Sequence, residues 1–244
     1  MKTALVIVDV QNDFCPGGAL ATARGDEVAS KIAELISTAD SRTHEYDYVV
    51  ATQDWHIDPG AHFSETPDFV DSWPPHCVAD SYGAQVRGPV KTDLIDQFFK
   101  KGHFTAAYSG FEGVNGNDEL LADWLRAQGV SRLDVCGIAT DHCVRATVLD
   151  ALKEGFKVKV LRGMCSPVDD KRGADALQEM IDAGAELVSP ALRRVAEQLF
   201  HFTHLGSLYL DHFFRHLAQR LVPAAVHLIL RHLDHVVVVE VHHL

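Results

Sequence analysis

Cys143 carries a reactive thiol at a position in the sequence that suggests a chemical role. It lies in the stretch IATDHCVRAT (138–147), where an apolar run predicted to be a strand gives way to a predicted helix. A thiol at a helix N-terminus faces the positive end of the helix dipole, which lowers its pKa and favours the nucleophilic thiolate. Because cysteines at helix starts are more often structural, the residues beside Cys143 must decide whether it is a nucleophile.

Asp9 and Lys101 also fall at or near predicted strand ends. Asp9 interrupts the apolar run ALVIVDV, and Lys101 follows the segment FFK. The carboxyl ends of parallel strands converge at one edge of a sheet, so the thiol, the carboxylate and the amine can meet there. Asp9 would then accept the thiol proton and later deliver it to a leaving amine, while Lys101 would stabilise both anions. Taken singly, Asp9 is more often a cap and Lys101 a solvated charge.

A second polar group has the residue types of a metal site. Asp54 and His56 alternate in QDWH, and His62 and His76 follow in the segments DPGAHFS and WPPHC. One aspartate with two or three histidines is a ligand set that suits Fe, Mn or Zn. A single loop histidine is more commonly just hydrogen-bonded, so the spacing alone leaves both interpretations open.

Three aromatic residues, Phe14, Trp73 and Tyr108, lie in the same polar loops. Each by itself is most simply a core residue. Together they could form the walls of a pocket for a flat ring.

An α/β fold is needed to position these residues, and the sequence shows the succession of predicted strands and helices that is typical of this fold class. The short β-branched run at 4–10 has no polar alternation, which predicts a strand buried on both faces, and further strands are predicted at 47–54, 132–138, 156–162 and 185–189. Helical spacing predicts helices over 26–43, 117–128, 140–154 and 169–183, and a short helix leading into a strand over 92–99. The alternation predicts a mostly parallel sheet with helices on both faces. Residues 55–90 are predicted to be a long functional loop.

Composition narrows the possible partners and the compartment. The formal net charge is −12 over 244 residues, which argues against nucleic acid or an anionic membrane as a partner. No apolar run is long enough to span a bilayer, and Asp9 breaks the first one before it could serve as a signal peptide. Five cysteines without a CxxC spacing favour the reducing cytoplasm.

The last part of the chain differs in composition, so we predict two regions: a domain over 1–190 and a His-rich extension over 191–244. The extension holds nine of the fifteen histidines and no lysine. It could be a helical segment that packs on the domain or on a second subunit, or the product of out-of-frame coding. A metal site there is the weaker interpretation, because no acidic partner set accompanies the histidines.

Five blocks in order identify the chain as resembling a known family: DVQNDF (9–14), ATQDWH (51–56), HF…SWPPHCV (62–78), KG…YSGFEG (101–113) and GIATDHCVRAT (137–147). They resemble the nicotinamidase/pyrazinamidase family of the isochorismatase-like cysteine hydrolases, most closely its actinobacterial members, over residues 3–189. The resemblance implies a three-layer, doubly wound, six-stranded parallel sheet. It also implies hydrolysis of nicotinamide to nicotinate and ammonia in NAD salvage, and of pyrazinamide to pyrazinoic acid.

The resemblance assigns roles to the chemical residues. Cys143 would be the nucleophile that forms a thioester, Asp9 the general base and then acid, and Lys101 the third member of the triad. A cis peptide between Ile138 and Ala139 would let the N–H groups of Ala139 and Cys143 form an oxyanion hole.

The resemblance also implies a cofactor and a pocket. One divalent ion, Fe2+, Mn2+ or Zn2+, would be held by Asp54, His56 and His76, with His62 added in close relatives. It would bind the ring nitrogen of the substrate. The pocket would be lined by Phe14, Trp73, Tyr108, Ile138 and His142.

Two rival functions remain at this point. Another small-amide hydrolase of the superfamily, such as an N-carbamoylsarcosine amidase or a ureidoacrylate hydrolase, would lack the Asp-x-His…His set. A catalytically dead binding or scaffold protein is disfavoured because every triad and ligand position is filled. The expected partners are small-molecule substrates, with no nucleic acid and no membrane, and the expected state is a monomer or small homo-oligomer.

Overall fold

A computed structural model describes residues 2–37 and 46–188, and these ranges contain six strands and four helices. The strands are β1 (Lys2–Val8), β2 (Tyr48–Asp54), β3 (Gln97–Lys101), β4 (Val130–Ile138), β5 (Lys157–Ser166) and β6 (Glu186–Val188). The helices are α1 (Gly25–Ser37), α2 (Leu121–Ala127), α3 (Arg145–Lys153) and α4 (Asp170–Asp182).

All six strands belong to one parallel sheet in the order β3-β2-β1-β4-β5-β6. The order reverses between β1 and β4, and in open α/β sheets a crevice forms at the carboxyl end of such a reversal. The predicted doubly wound parallel sheet is therefore confirmed.

The side chains of β1 show why its apolar run is continuous. Val6 and Val8 pack on one side of the sheet with the buried residues of α2, α3 and α4. Leu5 and Ile7 pack on the other side with the buried face of α1. Both faces of the strand are covered, so an alternating polar residue would be buried without a partner. The result is the predicted three-layer arrangement.

The predicted start of α2 is wrong. The side-chain oxygen of Asn115 accepts the backbone N–H groups of Asn117 and Glu119, at 2.9 and 3.1 Å, and Asp118 has a positive φ of 59°. These contacts close a turn in place of a first helical turn. The helix therefore begins at Leu121, four residues after Asn117.

Other boundaries differ by smaller amounts. The strand β5 continues to Ser166, beyond the predicted end at 162, and β3 includes Lys101 as its last residue. The predicted end of the first helix, the division at 190 and the His-rich extension over 191–244 lie outside the described residues. Within the described ranges, no helix is both long and apolar enough to cross a membrane.

Candidate active site

The predicted nucleophile, acid and amine meet at the carboxyl edge of the sheet. Asp9 directly follows β1, Lys101 ends β3, and Cys143 lies in a π-helical turn, Thr140–Val144, that follows β4. All three side chains are buried, with Asp9 wholly inaccessible and Lys101 1% exposed. The strands that supply them are close neighbours in the sheet, which is why residues about 40 to 130 positions apart in sequence come together.

Lys101 connects the group. Its Nζ lies 3.0 Å from Oδ2 of Asp9 and 3.6 Å from Sγ of Cys143. It also contacts Oδ1 of Asp54 and donates to the backbone carbonyl of Ala107 at 3.0 Å. The buried Lys101 ammonium is therefore paired with two carboxylates and also contacts a thiol. A buried cation requires such partners.

Asp9 is fixed by a residue that the sequence analysis missed. The hydroxyl of Thr52, in the middle of β2, donates to Oδ1 of Asp9 at 2.6 Å. Asp9 itself has a φ of 45°, and its backbone N–H lies 3.3 Å from that same Thr52 hydroxyl oxygen. The signal that could have revealed Thr52 is the polar run TQD inside a strand buried on both faces.

Burial dominates the electrostatics of Cys143 and Asp9. Burial raises the pKa of the Cys143 thiol well above its ordinary value, nearby Lys101 opposes this, and the Asp9 carboxylate adds to it. Burial likewise raises the pKa of Asp9, although Lys101 lowers it. The lowered thiol pKa predicted from the helix dipole is therefore wrong for this state of the site. A thiol beside a basic carboxylate can still lose its proton to that carboxylate during attack.

Lys101 and Asp54 are held in their charged forms. Burial opposes charge on both, but the neighbouring groups together outweigh this penalty. The carboxylates of Asp54 and Asp9 raise the pKa of Lys101 well above its ordinary value. The Lys101 ammonium, followed by His56, holds the pKa of Asp54 well below its ordinary range.

Three histidines form a buried cluster next to Asp54. His56, His62 and His76 each offer a ring nitrogen within 4.8 Å of the other two. Oδ2 of Asp54 lies 3.7 Å from Nε2 of His56 and 4.0 Å from Nε2 of His76. Burial lowers the pKa of His62, and lowers that of His76 to about 4, so both rings are neutral and have a free lone pair.

Hydrogen bonds between Nδ1 and backbone carbonyls orient the rings of His56 and His76. Nδ1 of His56 pairs with the carbonyl of Gly102 at 2.6 Å, and Nδ1 of His76 with that of Pro74 at 2.8 Å. Each Nδ1 is thereby the donor, which leaves Nε2 as the coordinating atom. Among the described residues, the buried Nε2 of His56 has no hydrogen-bond partner. This donor set fits a divalent transition metal.

Gln11 is a second residue that the sequence analysis missed. Its amide donates to the backbone carbonyl of Asp54 at 2.8 Å, and its side-chain oxygen accepts the Asp54 N–H at 2.9 Å. This double contact joins the segment after β1 to the end of β2. No pattern in the sequence singles out Gln11, because its partners are backbone atoms.

A cavity of about 300 Å³ opens beside Cys143 and the histidines. Of the predicted pocket residues, Phe14, Trp73 and His142 line it together with Ala139, Asp54, His62 and His76. Tyr108 is not in the lining but accepts a hydrogen bond from Nε1 of Trp73 at 3.1 Å. Ile138 is fully buried in the core, and its side chain is not in the lining either.

The π-helical turn that carries Cys143 adjoins this cavity. The peptide bond between Ile138 and Ala139 is cis, as the family resemblance implies. The N–H groups of His142 and Val144 both donate to the carbonyl of Ala139, at 3.1 and 3.0 Å. Ala139 and Cys143 both line the cavity.

Comparison with known proteins gives concordant matches over this same region. The isochorismatase domain family matches residues 3–191. The nicotinamidase/pyrazinamidase of Mycobacterium tuberculosis is 50% identical over 185 residues, which cover 76% of this chain and 97% of that protein.

Solved structures agree with the sequence matches. An L. infantum protein in complex with nicotinate is 36% identical, with a TM-score of 0.67, over 78% of this chain and 93% of that one. A pyrazinamidase of Pyrococcus horikoshii in complex with zinc is 38% identical, with a TM-score of 0.65, over 78% of this chain and 99% of that one. The chain therefore belongs to the isochorismatase domain family.

Proposed function

We propose that this protein is a nicotinamidase, a metal-containing cysteine amidohydrolase that converts nicotinamide to nicotinate and ammonia, and also acts on pyrazinamide. The observation that carries the proposal is the buried contact of Lys101 with both Asp9 and Cys143, beside a cavity that also meets the histidine cluster. The relatives named nicotinamidase or pyrazinamidase support the choice of substrate.

Cys143 is the proposed nucleophile and Asp9 its base. The Asp9 carboxylate takes the thiol proton as Sγ forms a bond to the carboxamide carbon, and the electron pair of the C=O bond moves to oxygen. The N–H groups of Ala139 and Cys143 hold that oxyanion. Asp9 then delivers its proton to the nitrogen, the C–N bond breaks, and ammonia leaves a thioester on Cys143.

The same residues release the product. Asp9, again a carboxylate, takes a proton from a water molecule whose oxygen attacks the thioester carbon. The C–S bond breaks, Asp9 returns its proton to the Cys143 sulfur, and nicotinic acid leaves and gives its carboxyl proton to water to become nicotinate. Lys101 remains an ammonium throughout, because the Asp54 carboxylate stays ionised beside it while Asp9 gains and loses its proton. Its charge lowers the energy of the thiolate that forms during attack.

One divalent ion, Fe2+, Mn2+ or Zn2+, is the proposed cofactor, with Asp54, His56, His62 and His76 as ligands. The buried donor set and the zinc in the Pyrococcus horikoshii relative support this choice. A bound ion would orient the substrate ring through its nitrogen. Phe14, Trp73 and His142 would bind the faces and edges of that ring, with Tyr108 and Ile138 behind them.

Three further expectations accompany the proposed function. The hydrolase domain spans 1–190, and the His-rich region 191–244 is an extension to it. The protein acts in the cytoplasm, which its five free cysteines support. It works as a monomer or small homo-oligomer on small molecules, without nucleic acid or membrane partners.

The direct test is ammonia release from nicotinamide and from pyrazinamide. We expect purified protein supplied with Fe2+, Mn2+ or Zn2+ to release ammonia from both substrates. A strong chelator should stop turnover, and the ion that restores it best identifies the cofactor. The variant Cys143→Ala should lose at least about a thousandfold in kcat, as expected for removal of a nucleophile.

A matched thiol control separates the nucleophile from the other cysteines. Cys136→Ala removes a buried thiol of β4 that donates to the carbonyl of Val6, away from the cavity lining. It should keep its kcat/KM even if it unfolds at a lower temperature. Soluble, metal-loaded protein that releases no ammonia from nicotinamide, but does from another small amide, would favour the other amidohydrolases of the superfamily.

A further inference from the structure

Asp141 is a buried carboxylate of the nucleophile turn that the proposed mechanism does not use. Its side chain is 2% exposed, although it immediately precedes the cavity residue His142. It is not one of the triad or of the metal ligands. A buried carboxylate is costly unless each oxygen has partners, so its contacts indicate what it does.

Both oxygens of Asp141 hold the segment between β5 and α4. Oδ1 accepts the backbone N–H of Val168 at 2.9 Å, and Oδ2 accepts that of Asp169 at 3.3 Å. Nε of Arg172, in the first turn of α4, lies 3.5 Å from Oδ2. Asp141 thus joins the nucleophile turn to a segment that is more than 20 residues later in sequence.

Two residues that Asp141 contacts, His142 and Val168, both form walls of the cavity. Val168 is 48% exposed and lines it, and His142 lines it as well. Nδ1 of His142 lies 3.3 Å from Oδ1 of Asp141, and the His142 ring packs edge-on against Trp73 at 5.4 Å. One oxygen, Oδ1, therefore contacts the residues of two separate walls.

We propose that Asp141 is a positioning residue for substrate binding, which fixes the cavity walls made by His142 and Val168 without touching the reacting atoms. The inference rests on the proposed amidase function and deepens it. Wall residues that contact the ring contribute to binding in the ground state and the transition state alike. Loosening them should therefore raise KM and leave kcat nearly unchanged.

The test compares Asp141→Ala and Asp141→Asn with the wild type, all loaded with metal, in ammonia release from nicotinamide. We expect Asp141→Ala to raise KM about tenfold, as for one lost charged hydrogen bond, with kcat within about threefold. Asp141→Asn should raise KM less, because its amide oxygen can still accept the Val168 N–H. Titration calorimetry with nicotinate should show a parallel loss of affinity.

Glu179→Gln is the matched control. Glu179 accepts two hydrogen bonds of 2.6 Å from Arg145 and so also links the helix after the nucleophile turn to α4, but it is not in the cavity lining. We expect this variant to lower the melting temperature and leave KM and kcat at wild-type values. Asp141→Asn carries the test if Asp141→Ala does not fold.

Three results would overturn the inference in distinguishable ways. An unchanged KM in the Asp141 variants, with only a lower melting temperature, would make the carboxylate a purely structural link. A fall in kcat at constant KM would place its action on Cys143 instead. A wild-type protein that neither hydrolyses nicotinamide nor binds nicotinate would remove the proposed function and this inference with it.

Discussion

At the scale of single residues, the site depends on one buried cation. Lys101 balances Asp9 and Asp54, and its removal would leave two buried carboxylates without a counter-charge. Because burial raises the pKa of Cys143, the thiol keeps its proton until a base takes it. In the proposed mechanism the rate would depend on the orientation of Asp9 toward the thiol, and the Thr52 hydroxyl holds Asp9 by donating to its Oδ1.

Replacing Thr52 by valine should slow catalysis with little change in the fold. Valine matches threonine in shape but cannot donate to Oδ1 of Asp9. A hydrogen bond to a charged group contributes about 1.5–3 kcal/mol, so kcat should fall about tenfold to a hundredfold. The measurement is steady-state ammonia release from nicotinamide, with circular dichroism as the check on folding.

Thr52→Ser is the control for that substitution. Serine keeps the hydroxyl and loses only a methyl group, so most of the activity should return. If valine and serine reduced kcat equally, the methyl group and not the hydrogen bond to Asp9 would matter at this position.

At the scale of elements, the strand ends and the turns after them shape the metal site. β2 ends at Asp54 and β3 at Lys101, and the glycine after β3 supplies the carbonyl that orients His56. Gly102 has a φ of +74°, and a Cβ added to it would lie 2.7 Å from Cε1 of His56. The close approach of this turn to the imidazole therefore requires glycine.

Gly102→Ala should weaken metal binding. The new methyl group must displace the His56 ring, and losing an outer contact of a metal ligand typically costs tenfold to about a hundredfold in affinity. We expect a higher dissociation constant for Zn2+ and Mn2+, measured by competition with a chromogenic chelator.

Gly129→Ala separates that effect from backbone strain. Gly129 also has a φ of +74°, but a Cβ added there meets nothing within 4 Å. Both alanine variants should lose about 1–2 kcal/mol of folding free energy from the left-handed conformation. Only Gly102→Ala should lose metal affinity, and equal dissociation constants for the two variants would contradict this account of the turn.

At the scale of the whole molecule, the candidate triad, the histidine cluster and the cavity lining all lie between Asp9 and Val168. The family match ends at residue 191, and the Mycobacterium tuberculosis relative is covered to 97% of its length by 76% of this chain. We infer that residues 1–190 are sufficient for catalysis.

A chain truncated after residue 190 should therefore keep its activity. Because a domain with its own core can fold alone, we expect kcat/KM for nicotinamide within about threefold of the full-length value. Activity and melting temperature of the two chains, purified in parallel, provide the measurement. A soluble truncated chain without activity would show that the extension contributes to the site.

Much of this architecture could be predicted from the sequence. A strand buried on both faces must be largely apolar, so β1 is visible as a continuous apolar run and β2 by its YVVA segment. Against such runs, a polar residue at the carboxyl end, such as Asp9 or Asp54, marks the edge where a site can form. The fold and the amidase function follow from this pattern and from the family resemblance, and the comparisons agree with both.

Only the tertiary structure decided which side chains are in contact and which protonation states they favour. The sequence does not pair Thr52 with Asp9 or Asp141 with Val168, and only the packing of distant segments brings each pair into contact. The thiol pKa of Cys143 likewise depends on burial and on charges brought from other strands, so the local helix-dipole argument predicted the wrong direction. Local sequence determines periodicity and polarity, whereas solvation and Coulomb interactions depend on distances that exist only after folding.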